Sequence, residues 1–168
     1  MEQKRKGKPP RLERVFQKYN APLFFLTFNT HGRRHLLASA NVKAPFADYC
    51  HGASDHGFGV GRYVLMPDHV HVFVRLAMGS EITVGEWVKG LKRRLDHVLL
   101  AAGRESMALP VQALRSFWQP GFFDHLLRSD ESYAGKWNYV RENPVRAGLV
   151  SSAEDWAYAG EIVRIDRA

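Results

Sequence analysis

The sequence predicts an α+β domain: an antiparallel sheet covered by helices, close to the ferredoxin-like split βαβ arrangement. Three observations predict it. The candidate elements run strand, helix, strand, strand, helix, strand, helix along the chain. Two of the strands meet at Pro67 and Asp68, a pair suited to a tight turn because Pro presets the first turn position and Asp tolerates the second. The helix after this hairpin carries a single apolar stripe, which needs a sheet to cover.

The elements follow in order. Residues 1–18 form a basic N-terminal arm with Lys4, Arg5, Lys6, Lys8, Arg11 and Arg14 around Pro9 and Pro10. Such a segment builds no core, and it is expected to be mobile when free. It either follows phosphates or serves only as a solubilising tail. Residues 19–168 are expected to be one domain. Leu23 to Phe28 is a short aromatic strand, and the run Asn29 to Arg34 breaks it. A helix is expected in part of the stretch from Leu36 to Gly61, although Pro45 and the run from Gly52 to Gly59 favour irregular structure. His51 and His56 are expected at the surface.

The hairpin spans Tyr63 to Leu76. In its second strand Val70, Val72, Val74 and Leu76 alternate onto one face, which must be the core face. Thr83 and Glu86 have capping-box spacing. Behind them Val84, Trp87, Val88, Leu91, Leu95, Val98, Leu99 and Ala102 recur at helical spacing, with Gly103 as the expected stop. Lys89, Lys92, Arg93 and Arg94 lie off the stripe as a basic, solvated side. Residues 104–116 are a connection. Phe122 to Leu127 is the next strand, after the Pro120-Gly121 turn. Ser129 or Asp130 caps the last helix, whose Tyr133, Trp137 and Val140 share a face. Pro144 disturbs or ends that helix.

The totals bound the function. The chain has 168 residues, 45% of them hydrophobic, which suits one domain with a real core. The net charge of +7 points to a polyanionic partner, with nucleic acid first among them. Cys50 is the only cysteine, so no disulfide forms within the chain and a reducing compartment is expected. No apolar run is long enough to span a membrane, and the basic N-terminus lacks the apolar segment of a signal peptide. The expected location is cytoplasmic, associated with the nucleoid.

His69 and His71 share the face opposite the valines, two residues apart. Two imidazoles at that spacing suit one divalent cation, and they equally suit two half-exposed histidines on a sheet surface. Tyr139 and Asn143 stand four apart on a helix and so lie together. Asn143 offers an oxygen donor for a hard cation. A phenol with a pKa near ~10 is mostly protonated at neutral pH and gains from a cation that polarises its target. Geometrically, Tyr139 becomes the candidate nucleophile toward a phosphodiester that the cation holds.

These residues also carry a resemblance. Met66 to His71 (MPDHVH) resembles the His-hydrophobe-His motif of HUH endonucleases in their single-tyrosine transposase form. Trp118 to Pro120 (WQP), then Arg128, then Trp137 to Val150 (WNYVRENPVRAGLV), resemble the C-terminal signature of the REP-associated tyrosine transposases. The likeness spans Leu23 to Tyr158, with residues 38–60 and the basic arm outside the shared pattern. It implies the HUH nuclease palm as the fold. It implies Tyr139 as nucleophile and His69, His71 and Asn143 as ligands of Mg²⁺ or Mn²⁺. The implied activity is cleavage of single-stranded DNA near imperfect hairpins, through a 5′-phosphotyrosine and a free 3′-hydroxyl, by a monomer or homodimer. Two other activities fit the same residues: a domesticated hairpin-binding protein that does not cut, and an HxH metal nuclease that uses water.

Other candidates have plainer roles beside them. Tyr133 and Tyr63 suit core packing. His125, next to Asp124, suits a structural hydrogen bond better than support of the site. Lys4, Arg5, Lys6, Arg33, Arg34, Lys92, Arg93, Arg128 and Arg146 are candidate nucleic-acid contacts, although exposed arginines often touch nothing specific.

Overall fold

Strand β3 (His69–Leu76) is the centre of the molecule, and both of its faces are covered. The computed structural model describes residues 21–106, 117–127 and 133–165. The basic arm, the cap at Ser129 or Asp130, and Arg128 lie outside the described residues. In chain order the elements are β1 (Leu23–Asn29), α1 (Ala40–His51), β2 (Phe58–Leu65), β3, α2 (Val84–Ser106), β4 (Phe123–Leu127), α3 (Tyr133–Arg141), the short α4 (Asn143–Arg146) and β5 (Ala159–Glu161).

The sheet has the order β4-β1-β3-β2-β5, and each pairing is antiparallel. The first four strands follow the split βαβ pattern that the sequence predicts. β5 is an addition on the edge of β2, where Trp156 and Tyr158 lead into it. No described helix is long and apolar enough to cross a membrane.

One sheet face packs under α1 and α2. Val70, Val72 and Val74 are buried there with Phe24, Leu26 and Phe28 of β1, and with Trp87, Val88, Leu91 and Leu95 of α2. The predicted capping box is present. Glu86 accepts the Thr83 backbone N–H at 2.8 Å, and Thr83 Oγ1 accepts the Glu86 N–H at 3.2 Å.

Three features depart from the sequence pattern. α2 runs through Gly103 to Ser106, because Gly103 is not among the described glycines with a positive φ. A glycine stops a helix by turning left-handed, and its lower propensity alone does not. Pro45 lies inside α1. There Val42, Phe46 and Cys50 are buried at four-residue spacing, and the Ser39 hydroxyl accepts the Val42 N–H at 3.3 Å. That burial outweighs the one backbone bond a proline forfeits. β2 begins at Phe58 rather than at Tyr63, with an irregular register between Val60 and Tyr63. Gly61 sits in that irregularity, where a Cβ would press on the Ile165 and Tyr133 side chains.

The opposite face is apolar as well. Phe25, Val64, Phe73, Leu127, Val140 and Ile165 form a second buried cluster, joined by Tyr133, Trp137 and Trp156. α3 therefore lies over the face of β3 that carries His69 and His71. This packing determines where Tyr139 can be.

Candidate functional site

On the α3 side of the sheet, β1 and β3 place matched pairs opposite one another: Phe25 with Phe73, Thr27 with His71, and Asn29 with His69. Apolar packing at the first pair gives way to polar chemistry at the other two. The His69 and His71 Nε2 atoms approach to 3.1 Å. Each ring is held from behind by an oxygen. His69 Nδ1 donates to Asp68 Oδ1 at 2.6 Å, and His71 Nδ1 shares a 2.8 Å hydrogen bond with Thr27 Oγ1.

The Asp68 carboxylate fixes His69 with its proton on Nδ1 and its Nε2 lone pair forward. A hydroxyl either donates or accepts, so Thr27 supports both His71 tautomers. With His71 Nε2 protonated, the two rings hydrogen bond to each other. With the proton on Nδ1, both Nε2 lone pairs converge on one point.

Electrostatics keep the rings neutral. Burial is the main cause that pushes His71 down to about 3, and the charges of His69, Lys136, Arg33 and Arg146 add to it. Burial also lowers His69, against the opposing pull of the Asp68 bond and charge. For Asp68 itself burial pushes upward, but the His69 hydrogen bond and the nearby charges outweigh it and the carboxyl is lowered. Neutral imidazole is the form that ligates a metal.

Arg33 completes the support. Its Nε pairs with Asp68 Oδ2 at 2.7 Å, and its Nη1 donates to Asn29 Oδ1 at 2.6 Å. It holds a left-handed backbone, φ 54°, to do so. Asn29 Nδ2 in turn donates to Gln119 Oε1 at 3.3 Å, tying the WQP stretch to the site.

α3 brings the remaining candidates. Lys136 lies over the Phe25 ring at 4.9 Å, and Phe25 stacks on His71 with centroids 5.3 Å apart. Tyr139 is 64% exposed, so its phenol is not part of the apolar interior. The helix breaks after Arg141 and resumes as α4, with Pro144 at its start. Arg146 bridges the break. Its guanidinium sits over the Tyr139 ring at 4.1 Å, Nη2 donates to the Tyr139 carbonyl at 2.6 Å, and the same Nη2 contacts Asn143 Oδ1. The structure thus joins His69 to His71, and Tyr139 to Asn143 through Arg146, while Tyr133, Lys136 and Trp137 dock α3 on the face that carries the histidines.

The transposase family model described as Transposase IS200 like matches residues 24–143. This chain belongs to the IS200-like transposase family. It is similar to the REP-associated tyrosine transposase of Escherichia coli (strain K12), at 26% identity over 136 residues, covering 81% of this chain and 74% of that one. A relative from Haemophilus influenzae is 24% identical over 138 residues, covering 82% of this chain and 78% of its own. Among solved structures, a REP-associated tyrosine transposase bound to a REP hairpin superposes with a TM-score of 0.64 at 23% identity, over 86% of this chain and 80% of that one. That likeness carries the fold.

In this IS200-like transposase the basic candidates take different places. Arg33 is at the histidine pair. Arg34 donates through Nε to the His31 carbonyl at 3.1 Å and lies over Phe117. Lys92 and Arg93 are on α2, behind the other sheet face. Lys92 departs from the expected solvated side: its ammonium donates to the Gln119 and Gly121 carbonyls at 3.1 and 2.6 Å. Burial pushes it down to about 8 against the Asp96 charge. Tyr133 packs on Phe73, as expected, and its hydroxyl accepts the Arg62 N–H.

Sequence reasoning missed Thr27, Asn29, Asp68 and Lys136. The signal for the first two was present, since Thr27 and Asn29 are the polar members of one alternating row in an otherwise apolar strand. Asp68 was legible as a turn residue, and its second task shows only once His69 folds back beside it.

A divalent cation fits the pair, because both rings are pinned at Nδ1 and aimed at each other through Nε2. Among the described residues no group of three His, Cys, Asp or Glu is placed to hold a metal.

Proposed function

We propose that this transposase is a divalent-cation-dependent endonuclease and strand transferase for single-stranded DNA, acting at repeat hairpins through a 5′-phosphotyrosine on Tyr139. The observation that carries this is the convergence of the His69 and His71 Nε2 atoms at 3.1 Å on the sheet face that α3 covers. His69, His71 and Asn143 would hold Mg²⁺ or Mn²⁺; two nitrogen donors favour Mn²⁺ in affinity. When bound, the cation supplies positive charge that polarises the scissile phosphate.

The chain's own residues do the rest. Asp68 and Thr27 orient the imidazoles, and Arg33 holds Asp68. The exposed Tyr139 phenol attacks phosphorus. A Tyr139 Oη–P bond forms, the P–O3′ bond breaks, and the phenol proton is passed on so that the 3′ oxygen leaves as a hydroxyl. The phosphotyrosine conserves the phosphodiester for rejoining to another 3′ end. The cationic groups Lys136 and Arg146, whose charge acts on His71, suit a polyanionic substrate. Hairpin DNA as that substrate is supported by the names of the E. coli relative and of the hairpin-bound structure, and by the net charge of +7.

The test is a hairpin-bearing single strand incubated with protein and Mn²⁺, then run under denaturing conditions. A shifted protein–DNA band is expected. Reversible binding with no adduct would make the protein a non-cutting binder, and cleavage without a protein-linked product would assign the attack to water.

A further inference from the structure

The Arg146 side chain contacts Tyr139 and Asn143 together. Its guanidinium stacks on the phenol ring at 4.1 Å, bonds the Tyr139 carbonyl at 2.6 Å and contacts Asn143 Oδ1. α3 ends at Arg141 and Asn143 opens α4, with Glu142 between them still in the αR region, so the backbone sets Tyr139 and Asn143 about one turn apart. Arg146, on the last turn of α4, ties that turn together through its side chain.

Two consequences follow from chemistry. An amide oxygen that accepts from a guanidinium has that lone pair engaged, so a cation seeking Asn143 Oδ1 competes with Arg146. A guanidinium also bears a fixed positive charge, which opposes a second cation nearby. Against these, stacking on Tyr139 keeps the phenol from sampling other rotamers.

We infer that Arg146 is a positioning residue that acts as an exchangeable latch. It aligns Tyr139 with Asn143, and it yields the Asn143 oxygen to the divalent cation when the DNA phosphate arrives as a new partner for its guanidinium. Planar, forked donors suit phosphate as well as they suit the amide. This latch rests on the metal site proposed above. It gives the site a reason to bind cation and DNA together rather than cation alone, because phosphate both draws Arg146 away and neutralises its charge.

The test is the Mn²⁺ dissociation constant of the full-length protein, read from free Mn²⁺ by electron paramagnetic resonance. It is measured with and without a hairpin single strand whose scissile phosphate cannot be cleaved. Wild type is expected to bind Mn²⁺ more tightly with DNA than without. Arg146→Ala is expected to bind Mn²⁺ roughly fivefold more tightly than wild type without DNA, the scale of one solvent-screened unit charge. It should lose most of the DNA-induced gain. With Mn²⁺ saturating, its rate of adduct formation should fall because the DNA phosphate loses its guanidinium partner. Arg146→Gln, which keeps a donor without the charge, should fall between the two and replaces the alanine variant if that one does not fold.

Unchanged Mn²⁺ affinity in both variants without DNA would overturn the latch, and weaker DNA binding alone would reduce Arg146 to a phosphate contact. The His69→Ala/His71→Ala protein separates the two levels. If it loses Mn²⁺ while the Arg146 variants match wild type, only the latch fails. If it binds Mn²⁺ like wild type, the metal site fails and the latch with it.

Discussion

Asp68 shows how much one side chain can decide. It accepts from His69, pairs with Arg33 and terminates the hairpin turn, and its carboxyl is lowered despite burial. Partners behind a metal ligand typically account for roughly ten- to hundredfold in affinity. Asp68→Asn is therefore expected to weaken Mn²⁺ binding by about tenfold or more, measured by titration, while circular dichroism stays that of the wild type. His71 offers a second test at this scale. An unfolded imidazole titrates near ~6.5, whereas burial holds the folded ring down to about 3. Between those values the unfolded chain binds a proton that the folded chain refuses, so stability falls as pH drops through that window. The stability lost between pH 7 and pH 4, from urea melts, is expected to be smaller in His71→Asn than in wild type. An equal loss would remove His71 from the acid sensitivity.

At the scale of elements, α1 and α2 approach each other closely at Gly90. The Tyr49 hydroxyl donates to the Trp87 carbonyl at 3.1 Å, across the space that a side chain on Gly90 would fill. Gly90→Ala is expected to cost about 1–3 kcal/mol from overpacking. In a Tyr49→Phe background the same change should cost less, because the closest contact, with the hydroxyl, is gone while the ring Cζ stays at 3.3 Å from the added Cβ. Thermal melts of the four proteins of this cycle give the sign.

The same scale explains which elements were legible. α2 announces itself through its stripe and capping box, and β3 through its row of valines. β2 hides its beginning, because Phe58 to Gly61 mixes glycine with apolar residues around an irregular register. α1 hides behind Pro45, and only the burial of Val42, Phe46 and Cys50 reveals why the helix survives it. The His69 and His71 pair could be read from alternation alone. Among its supports, Thr27 was marked by the polar row of β1 but placed only by cross-strand pairing, and Lys136 comes near only when α3 docks on Phe73.

At the scale of the whole molecule, the two sheet faces divide the work. The α1 and α2 side is a closed apolar core, whereas the α3 side is apolar at one end and polar at the other. Phe73 is fully buried under Tyr133 and Trp137, and it anchors α3 over that boundary. Phe73→Ala is expected to destabilise the fold by about 3–5 kcal/mol, and to lower adduct formation even at temperatures where the sheet stays folded. A stable variant with full activity would mean that α3 needs no such anchor.

Mass mapping of the product formed with Mn²⁺ and a hairpin-bearing single strand tests the central claim most directly. A nucleotide-modified peptide carrying its mass on Tyr139 is expected, together with its disappearance in Tyr139→Phe while hairpin binding persists. Modification at any other residue, or an undiminished adduct in the phenylalanine variant, would contradict the account.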